Sequence, residues 1–352
     1  MTEKDLRYVI LVLKGEKPKN LPNWYTLLGF LFSHRIAGLF YKRAQKCGVN
    51  LPKKVENLLK LTFEQQKRKV NFMRNELSHI TQKLSKSKVP YMLLKGSVLS
   101  NLNEKDKKIY FDGERISNDI DLLCQQDGIT AISKALYELG FVQGVYDYDS
   151  DMIKKFSRLE IVKRRMNRGE IAPFVKKTEN PEFPYIEVDI NFSLGNTPLE
   201  GATLLKDMVM ETVEYKGKVL MRIPNIELFF LHLIMHQYKE SCLLFMVEHN
   251  KDLDVYKLAD IYYLFKTYTL DFEYLESMIK KYSLYQEIGT VLKQVGEVFI
   301  DDEIVKYANK FNSFSPFIVD YENKKNFKWS GTVFQRLCSL DSKRYLSEVN
   351  YD

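Results

Sequence analysis

Two aspartates separated by one residue are the feature of the sequence that points most directly to chemistry. Asp119 and Asp121 lie at the start of an apolar segment, residues 120–124, whose composition predicts a buried strand. Alternate residues of a strand face the same way, so both carboxylates are expected on one face. Two carboxylates at such a short distance repel each other. Their burial is unfavourable unless a cation lies between them. The pattern therefore favours a divalent-metal site, although exposed strand pairs and capping aspartates also produce Asp-x-Asp.

A third carboxylate lies on the polar face of a later predicted strand. Residues 185–192 alternate polar and apolar side chains with the period of two that is typical of a half-buried strand, and Asp189 belongs to the polar set. Mg²⁺ prefers hard oxygen ligands and is often held by one or two carboxylates together with substrate phosphates. Three aspartates from two adjacent strands therefore predict a two-metal site for phosphoryl chemistry, with Mg²⁺ or Mn²⁺.

A short turn earlier in the chain has the residue types that hold phosphate. The apolar run over residues 89–94 predicts a buried strand, and Lys95, Gly96 and Ser97 follow it at the start of a predicted helix. Backbone N–H groups at such a turn can donate to phosphate oxygens, Gly96 permits close approach, and Lys95 adds a positive charge. The spacing is not that of a Walker A loop, and an ordinary turn is the alternative interpretation.

The elements that must position these residues fall into three regions. Periodicity predicts an N-terminal helical region over residues 1–88, a mixed α/β core over 89–222 and a C-terminal helical domain over 223–352. The fold class is therefore α+β. The clearest helix covers 56–85, where apolar residues recur at helical spacing, and a similar pattern runs from Trp24 to Ala44.

The core and the C-terminal domain contain further elements with clear patterns. A helix is predicted over residues 129–140 and a hairpin over 212–221, which turns at Lys216-Gly217. The C-terminal domain is predicted to contain helices near residues 225–239, 252–266 and 272–282.

Composition excludes several classes of protein. The 352 residues carry a formal net charge of +7, and 45% are hydrophobic, so wholesale disorder and fibrous repeats are excluded. No apolar stretch is long enough to predict a membrane span, and the first residues do not resemble a signal peptide. Four widely spaced cysteines form no CxxC pair and predict reduced thiols. These features together lead us to expect a cytoplasmic protein.

Taken together, the motifs resemble the nucleotidyltransferase superfamily of the DNA polymerase β type, and most closely the bacterial "uncharacterised nucleotidyltransferase" family. That family carries LLKG, then an R-x-x-x-D-x-D-L-L block, then an E-x-D strand. The corresponding segments here are Leu93–Gly96, Arg115–Leu123 and Glu187–Asn191. The resemblance covers residues 60–265. It implies a polymerase β-like sheet core flanked by an N-terminal helical region and a C-terminal helical domain.

The resemblance also implies an activity and roles for the carboxylates. Asp119 and Asp121 would bind the catalytic metals, and Asp189 would be the third carboxylate, bridging one metal and serving as a base for the acceptor. The reaction would be in-line attack by an acceptor on the α-phosphate of an NTP, with release of pyrophosphate. Acceptors left open are a protein or peptide, a tRNA 3′ end and a small hydroxylated molecule. Toxin-like relatives in the superfamily keep a toxin role open.

Four further residues are expected at the nucleotide. By resemblance, Gly96 and Ser97 would contact its phosphates, while Lys95 and Arg115 would offset its charge. One position departs from the family, which often has histidine two residues after the third aspartate, where this chain has Asn191.

Two other features have competing interpretations. His232 and His236 share a helix face, for which packing is favoured over metal binding, and His236 with Lys239 is a candidate cleft pair. Residues 151–180 contain nine Lys or Arg and four acidic residues. They are interpreted either as a solvated loop or as an electrostatic guide for an anionic acceptor such as RNA.

Two rival functions fit the same residues. One is a non-catalytic module that binds NTP or RNA on the same fold, and the other is a metal-dependent nuclease. The retained carboxylate triad favours an enzyme over a module, and the Gly-Ser turn favours NTP chemistry over a nuclease. The preferred NTP, the oligomeric state and any regulatory partner or antitoxin stay open.

Overall fold

The chain divides into two compact units. The computed structural model describes residues 1–87, 89–104, 107–167, 169–195, 201–311, 318–321, 323–339 and 341–349. Gln66–Phe229 form one unit, here called the sheet unit; Met1–Gln65 and Phe230–Asp352 form the other, here called the helical unit. The predicted domain boundaries after residues 88 and 222 stay a prediction.

Helices account for most of the regular structure. In the described ranges they are α1 (Glu3–Lys14), α2 (Trp24–Ser33), α3 (Ala37–Lys46), α4 (Lys53–Ser85), α5 (Lys95–Leu99), α6 (Ile129–Glu138), α7 (Arg158–Asn167), α8 (Ala202–Met210), α9 (Ile226–Ser241), α10 (Leu244–Glu248), α11 (Val255–Thr267), α12 (Phe272–Tyr282), α13 (Tyr285–Phe299), α14 (Asp302–Ala308) and α15 (Val333–Leu337). Short 3-10 helices cover Gln126–Gly128 and Ser342–Tyr345. The chain passes between the two units inside α4 and again inside α9.

In the part of the chain that the structure describes, the strands form one large sheet and three small ones. They are β1 (Tyr91–Leu93), β2 (Asn103–Glu104), β3 (Lys107–Lys108), β4 (Asp119–Cys124), β5 (Val142–Asp147), β6 (Met152–Lys155), β7 (Phe174–Lys177), β8 (Tyr185–Asn191), β9 (Thr212–Lys216), β10 (Leu220–Pro224), β11 (Ile318–Asp320), β12 (Lys325–Trp329) and β13 (Leu346–Val349). The large sheet has the order β1-β4-β8-β7-β5-β6. It is mixed, because β4 and β8 run parallel while the other neighbouring strands are antiparallel. The predicted combination of helices with a mixed sheet is confirmed.

Most of the predicted elements appear at their expected places. The helix predicted over 56–85 is α4, the hairpin over 212–221 is β9 with β10, and the helix over 272–282 is α12. The pattern from Trp24 to Ala44 is interrupted, because Arg35 adopts a left-handed conformation with φ of 54° between α2 and α3. A non-glycine residue in that region ends a right-handed helix, so one pattern yields two helices.

Within the helical unit, α1 packs against α3 and α13. Its apolar face is fully buried, and the Tyr263 hydroxyl donates a hydrogen bond to the Leu13 carbonyl at 2.6 Å. A buried ion pair joins the Arg336 Nη2 atom to the Asp252 carboxylate at 2.8 Å. In the part of the chain that the structure describes, no helix combines the length and apolar character that a membrane crossing requires.

Within the sheet unit, the C-terminal part of α4 carries a buried ion-pair network. Its apolar face is buried at the positions that the periodicity predicted, which are Val70, Met73, Leu77, Ile80 and Leu84. Arg74 is only 9% exposed. Its Nη2 atom lies 2.8 Å from the Asp112 carboxylate, and its Nε atom donates to the Asn101 side-chain oxygen at 2.7 Å. These contacts join α4 to Asn101, which follows α5, and to Asp112, in the segment that precedes β4.

Replacement of Arg74 by methionine is expected to lower the free energy of unfolding by about 3 kcal/mol, because it leaves the Asp112 carboxylate without its main partner. Urea denaturation of the purified protein measures this value. The matched control is Arg68→Met, since the ion pair of Arg68 with Glu182 is more exposed. That control is expected to lose less than about 1 kcal/mol, and equal losses in the two variants contradict the prediction.

Candidate metal centre

Three aspartates converge on one face of the large sheet. Asp119 and Asp121 lie on β4, and Asp189 lies on β8 directly opposite Asp121 in the parallel register. One carboxylate oxygen from each of the three lies within 4.8 Å of the others. Asp121 is 3% exposed, and the other two are half-buried. The convergence follows from alternation, since Ile120 and Leu122 point to the opposite, apolar side of β4.

The turn after β1 supplies a positive charge to this cluster. The Lys95 Nζ atom lies 2.6 Å from Asp121 Oδ1. Lys95 also has a φ of 52°, which a non-glycine side chain rarely adopts. Such strain persists only where the surrounding structure imposes it, and it is common at functional sites. On the other carboxylate, the Ser117 hydroxyl donates to Asp119 Oδ1 at 3.0 Å.

Burial and mutual repulsion change the protonation of the cluster. Burial, reinforced by the charges of Asp121 and Asp119, raises the pKa of Asp189 to about 8. Burial also raises the pKa of Asp121 to about 6, although the Lys95 ammonium group opposes the rise. Glu187, which lies opposite Asp119 on β8, has a pKa raised by burial and by the Asp119 charge. One lysine therefore does not neutralise the cluster.

The donor set fits a hard divalent cation. All three groups offer carboxylate oxygens, the ligands that Mg²⁺ and Mn²⁺ prefer, and they are held on adjacent strands of a packed sheet. A cation in their midst would stabilise the ionised forms that burial disfavours. Among the described residues, this is the single place where three or more acidic, histidine or cysteine side chains come close enough to share an ion.

Gly96 allows α5 to approach the segment that leads into β4. A Cβ atom at this position would lie 2.8 Å from Ser117 Oγ and 3.2 Å from an Arg115 guanidinium nitrogen. Arg115 itself donates to the Ile116 carbonyl. The Ser97 hydroxyl is buried and donates to the Leu94 carbonyl at 2.9 Å. The four residues predicted at the nucleotide phosphates thus lie around one turn beside the carboxylates, and their roles stay a prediction.

The predicted cleft pair lies in the helical unit. His236 and Lys239 are on α9, where the His236 Nε2 atom lies 3.7 Å from the Glu240 carboxylate. The imidazole rings of His232 and His236 are parallel, with centroids 6.3 Å apart. The described residues bring no third metal ligand to the two histidines. Contact of His236 and Lys239 with substrate stays a prediction.

Sequence reasoning placed Tyr185 on the carboxylate face but missed the two tyrosines that contact it. Tyr185 lies two residues before Glu187 on β8, so alternation alone placed it on the same face as Asp189. Tyr146 and Tyr148 contact the Tyr185 ring from β5 and from the turn after it. No local pattern predicted β5 or its position in the sheet, so neither tyrosine could be found without the structure.

This arrangement defines the class of protein. A mixed sheet that presents three aspartates on two parallel strands, beside a glycine-containing turn, is a carboxylate-based candidate metal centre suited to phosphoryl chemistry. The comparison with known families agrees, because the model of the family described as "Uncharacterised nucleotidyltransferase" matches residues 20–299. The chain belongs to this family, as its motifs suggested. A search of curated proteins finds no match.

Metal binding at pH 7 is expected to release about one proton. The raised pKa of Asp189 means that this carboxyl group is mostly protonated without metal, and a bound cation requires the ionised form. Titration calorimetry with Mn²⁺ in two buffers of different ionisation enthalpy measures the number released. Asp189→Asn is the comparison variant and is expected to release fewer protons. A binding heat that does not depend on the buffer contradicts the prediction.

Without metal, the protein is expected to lose stability as pH rises from 5 to 8. The folded-state pKa of Asp189, about 8, lies above its ordinary value of 3.8, so folding favours the protonated form. Its stabilising contribution is complete below 3.8 and is lost as pH approaches 8. In EDTA, Asp189→Asn is therefore expected to show a smaller fall in melting temperature over this range. The control is Asp127→Asn, an exposed position. A steeper fall for Asp189→Asn contradicts the prediction.

Proposed function

We propose that the protein is a metal-dependent nucleotidyltransferase with a polymerase β-like core. It transfers a nucleoside monophosphate from an NTP to a hydroxyl group of an acceptor and releases pyrophosphate. The observation that carries this proposal is the register of β4 and β8, which brings Asp119, Asp121 and Asp189 together in a chain that belongs to a nucleotidyltransferase family. Acceptor classes compatible with this activity are a protein or peptide, an RNA end and a small hydroxylated molecule.

The three aspartates would hold Mg²⁺ or Mn²⁺. When bound, the ions would neutralise charge on the phosphates and make the acceptor hydroxyl more acidic. The acceptor oxygen forms a bond to the α-phosphorus, and the bond from that phosphorus to the pyrophosphate oxygen breaks. The acceptor proton passes to a base. We assign this role to the Asp189 carboxylate, because β8 holds it opposite Asp121, beside the other carboxylates of the cluster.

The turn after β1 would hold the triphosphate. Lys95 brings an ammonium group to the carboxylates, with Nζ 2.6 Å from Asp121, and Arg115 brings a guanidinium group to Gly96. These two cations would offset the negative charge that develops on pyrophosphate as it leaves. Gly96 would let phosphate oxygens approach the backbone of the turn, where any larger residue would displace Ser117. The buried Ser97 hydroxyl donates to Leu94, so its proposed phosphate contact would use its backbone N–H group.

Asp119→Asn is expected to reduce nucleotide transfer by more than about 100-fold, since even groups that only support metal ligands change activity by 10-fold to 100-fold. The assay supplies each α-³²P-labelled NTP with Mg²⁺ or Mn²⁺ and a cell extract as the source of acceptor. Labelled product and released pyrophosphate are both measured. Asp127→Asn is the matched control, because it makes the same substitution at an exposed site near the end of the same strand.

The outcomes separate the proposed activity from its rivals. Transfer by the wild type and by Asp127→Asn, but not by Asp119→Asn, supports the enzyme, and the labelled material identifies the acceptor class. Transfer that survives Asp119→Asn refutes the assignment. Binding of NTP without transfer would favour a non-catalytic module, and release of nucleotides from a polymer without pyrophosphate would favour a nuclease.

A further inference from the structure

Three tyrosines form an aromatic cluster at one end of the carboxylate face. The rings of Tyr146 and Tyr185 are nearly parallel, at 15°, with centroids 4.6 Å apart. Tyr148 meets Tyr185 edge-on, and its hydroxyl donates to the Tyr185 hydroxyl at 3.1 Å. The Tyr146 hydroxyl donates to the Asp151 carboxylate. We call Tyr146, Tyr148 and Tyr185 the tyrosine platform.

The tyrosine platform lies on the same face as the metal ligands. Tyr185, Glu187 and Asp189 alternate along β8, so their side chains project from one side of the sheet. Tyr185 is two residues from Glu187, which is about 7 Å along a strand, and Glu187 is paired with Asp119. Tyr148 is 69% exposed, and the rings of Tyr146 and Tyr185 are half-buried. The distance between the aromatic surface and the carboxylates is therefore comparable to the length of one nucleoside.

The platform is on the acceptor side of the proposed reaction. In-line displacement requires the attacking oxygen and the departing pyrophosphate to lie on opposite sides of the α-phosphorus. The proposed phosphate-binding residues Lys95 and Arg115 lie at the β1–β4 side of the cluster, whereas the platform extends from Tyr185 on β8 to Tyr146 on β5. If pyrophosphate leaves on the first side, the acceptor must approach from the second.

Positive charge accompanies the platform. Lys177 lies opposite Tyr185 in the β7–β8 register, although its Nζ atom pairs with the Asp151 carboxylate at 2.7 Å. The guanidinium group of Arg164 on α7 lies over the Phe156 ring and is close enough to Glu187 to oppose the rise of its pKa that burial and Asp119 cause. Exposed cations close in sequence to Phe156 and Arg164 are Lys155, Arg158, Lys163 and Arg165. Of the predicted basic window, Arg168 lies outside the described residues.

We propose that the acceptor is the 3′ end of a single-stranded polynucleotide, whose terminal bases stack on the tyrosine platform. Aromatic rings with adjacent cations are the combination that binds single-stranded nucleic acid, since every base offers a π face and every linkage a negative charge. A peptide backbone offers neither a base that could stack on these rings nor a phosphate that could pair with these cations. This inference rests on the proposed function, because in-line transfer is what assigns the platform to the acceptor.

The first test measures binding without chemistry. Fluorescein-labelled 12-nucleotide RNA and DNA are titrated with the protein in Mg²⁺ and without NTP, and anisotropy gives the dissociation constants. Each probe is also made with an abasic 3′-terminal residue, so the wild-type protein tests base stacking without any substitution. Removal of the terminal base is expected to weaken binding of the preferred strand about 5-fold to 100-fold.

Substitutions then locate the stacking. The double variant Tyr146→Leu/Tyr185→Leu removes both rings and is expected to bind the intact and abasic probes with equal affinity. Tyr146→Phe/Tyr185→Phe keeps the rings and is expected to retain the preference for the intact end. The matched control is Tyr25→Leu, a tyrosine that is 93% exposed in the helical unit and is expected to behave as the wild type. Circular dichroism confirms that each variant is folded.

Several results would overturn the proposal. One is that the wild type binds intact and abasic ends with equal affinity. Another is that the double leucine variant loses affinity for NTP and keeps its affinity for the oligonucleotide. A third is that label is transferred to protein while neither oligonucleotide binds. Each of these is distinguishable from failure of the proposed function, which is judged by pyrophosphate release in wild type and Asp119→Asn. If the enzyme releases pyrophosphate but binds intact and abasic ends equally, the proposed activity stands and the polynucleotide acceptor is refuted.

Discussion

The parallel pairing of β4 with β8 is the constraint on which the candidate site depends. It places Asp121 directly opposite Asp189 inside a sheet whose other face is apolar, and it forces three carboxylates within 4.8 Å of one another. Burial of that much like charge is unfavourable unless protons or cations balance it. Burial and mutual repulsion raise the pKa values of Asp121 and Asp189, which favours proton uptake, and the Lys95 ammonium group supplies an opposing charge. A divalent cation at this position would neutralise the negative charge that remains.

The same pairing explains the strain and close packing around it. The chain must turn sharply after β1 to bring an ammonium group to Asp121, and Lys95 accepts a left-handed φ to do so. Gly96 then passes so close to Ser117 that a Cβ atom has no room. On the outer side, α4 holds Asp112 and Asn101 through Arg74, which fixes the segment between α5 and β4. The residues around the carboxylates therefore adopt conformations or contacts that are locally unfavourable, such as the left-handed φ of Lys95 and the close approach at Gly96.

Much of this could be predicted from sequence where the determining pattern is local. The alternation in β8 and the helical periodicity of α4 identify their buried faces, and Asp-x-Asp on an apolar strand indicates candidate metal ligands. The pairing of strands that are distant in sequence cannot be predicted from such local patterns. β5 alternates weakly, contains Gly144 and joins the sheet through β7, so the stacking of Tyr146 on Tyr185 follows from topology alone. The break at Arg35 was missed for the opposite reason, since the apolar period continues across it.

The connectivity of the two units has a consequence for how the chain is made. The helical unit is assembled from the beginning and the end of the sequence, with the sheet unit, about 160 residues, inserted between its halves. During synthesis the first 65 residues leave the ribosome long before α11 and α13 exist to cover them. Because domains fold as units while the chain elongates, the sheet unit can complete its core first. Until α11 and α13 have been synthesised, the apolar faces of α1 and α3 lack the helices that cover them in the folded unit. The nascent chain is most prone to aggregation during this interval.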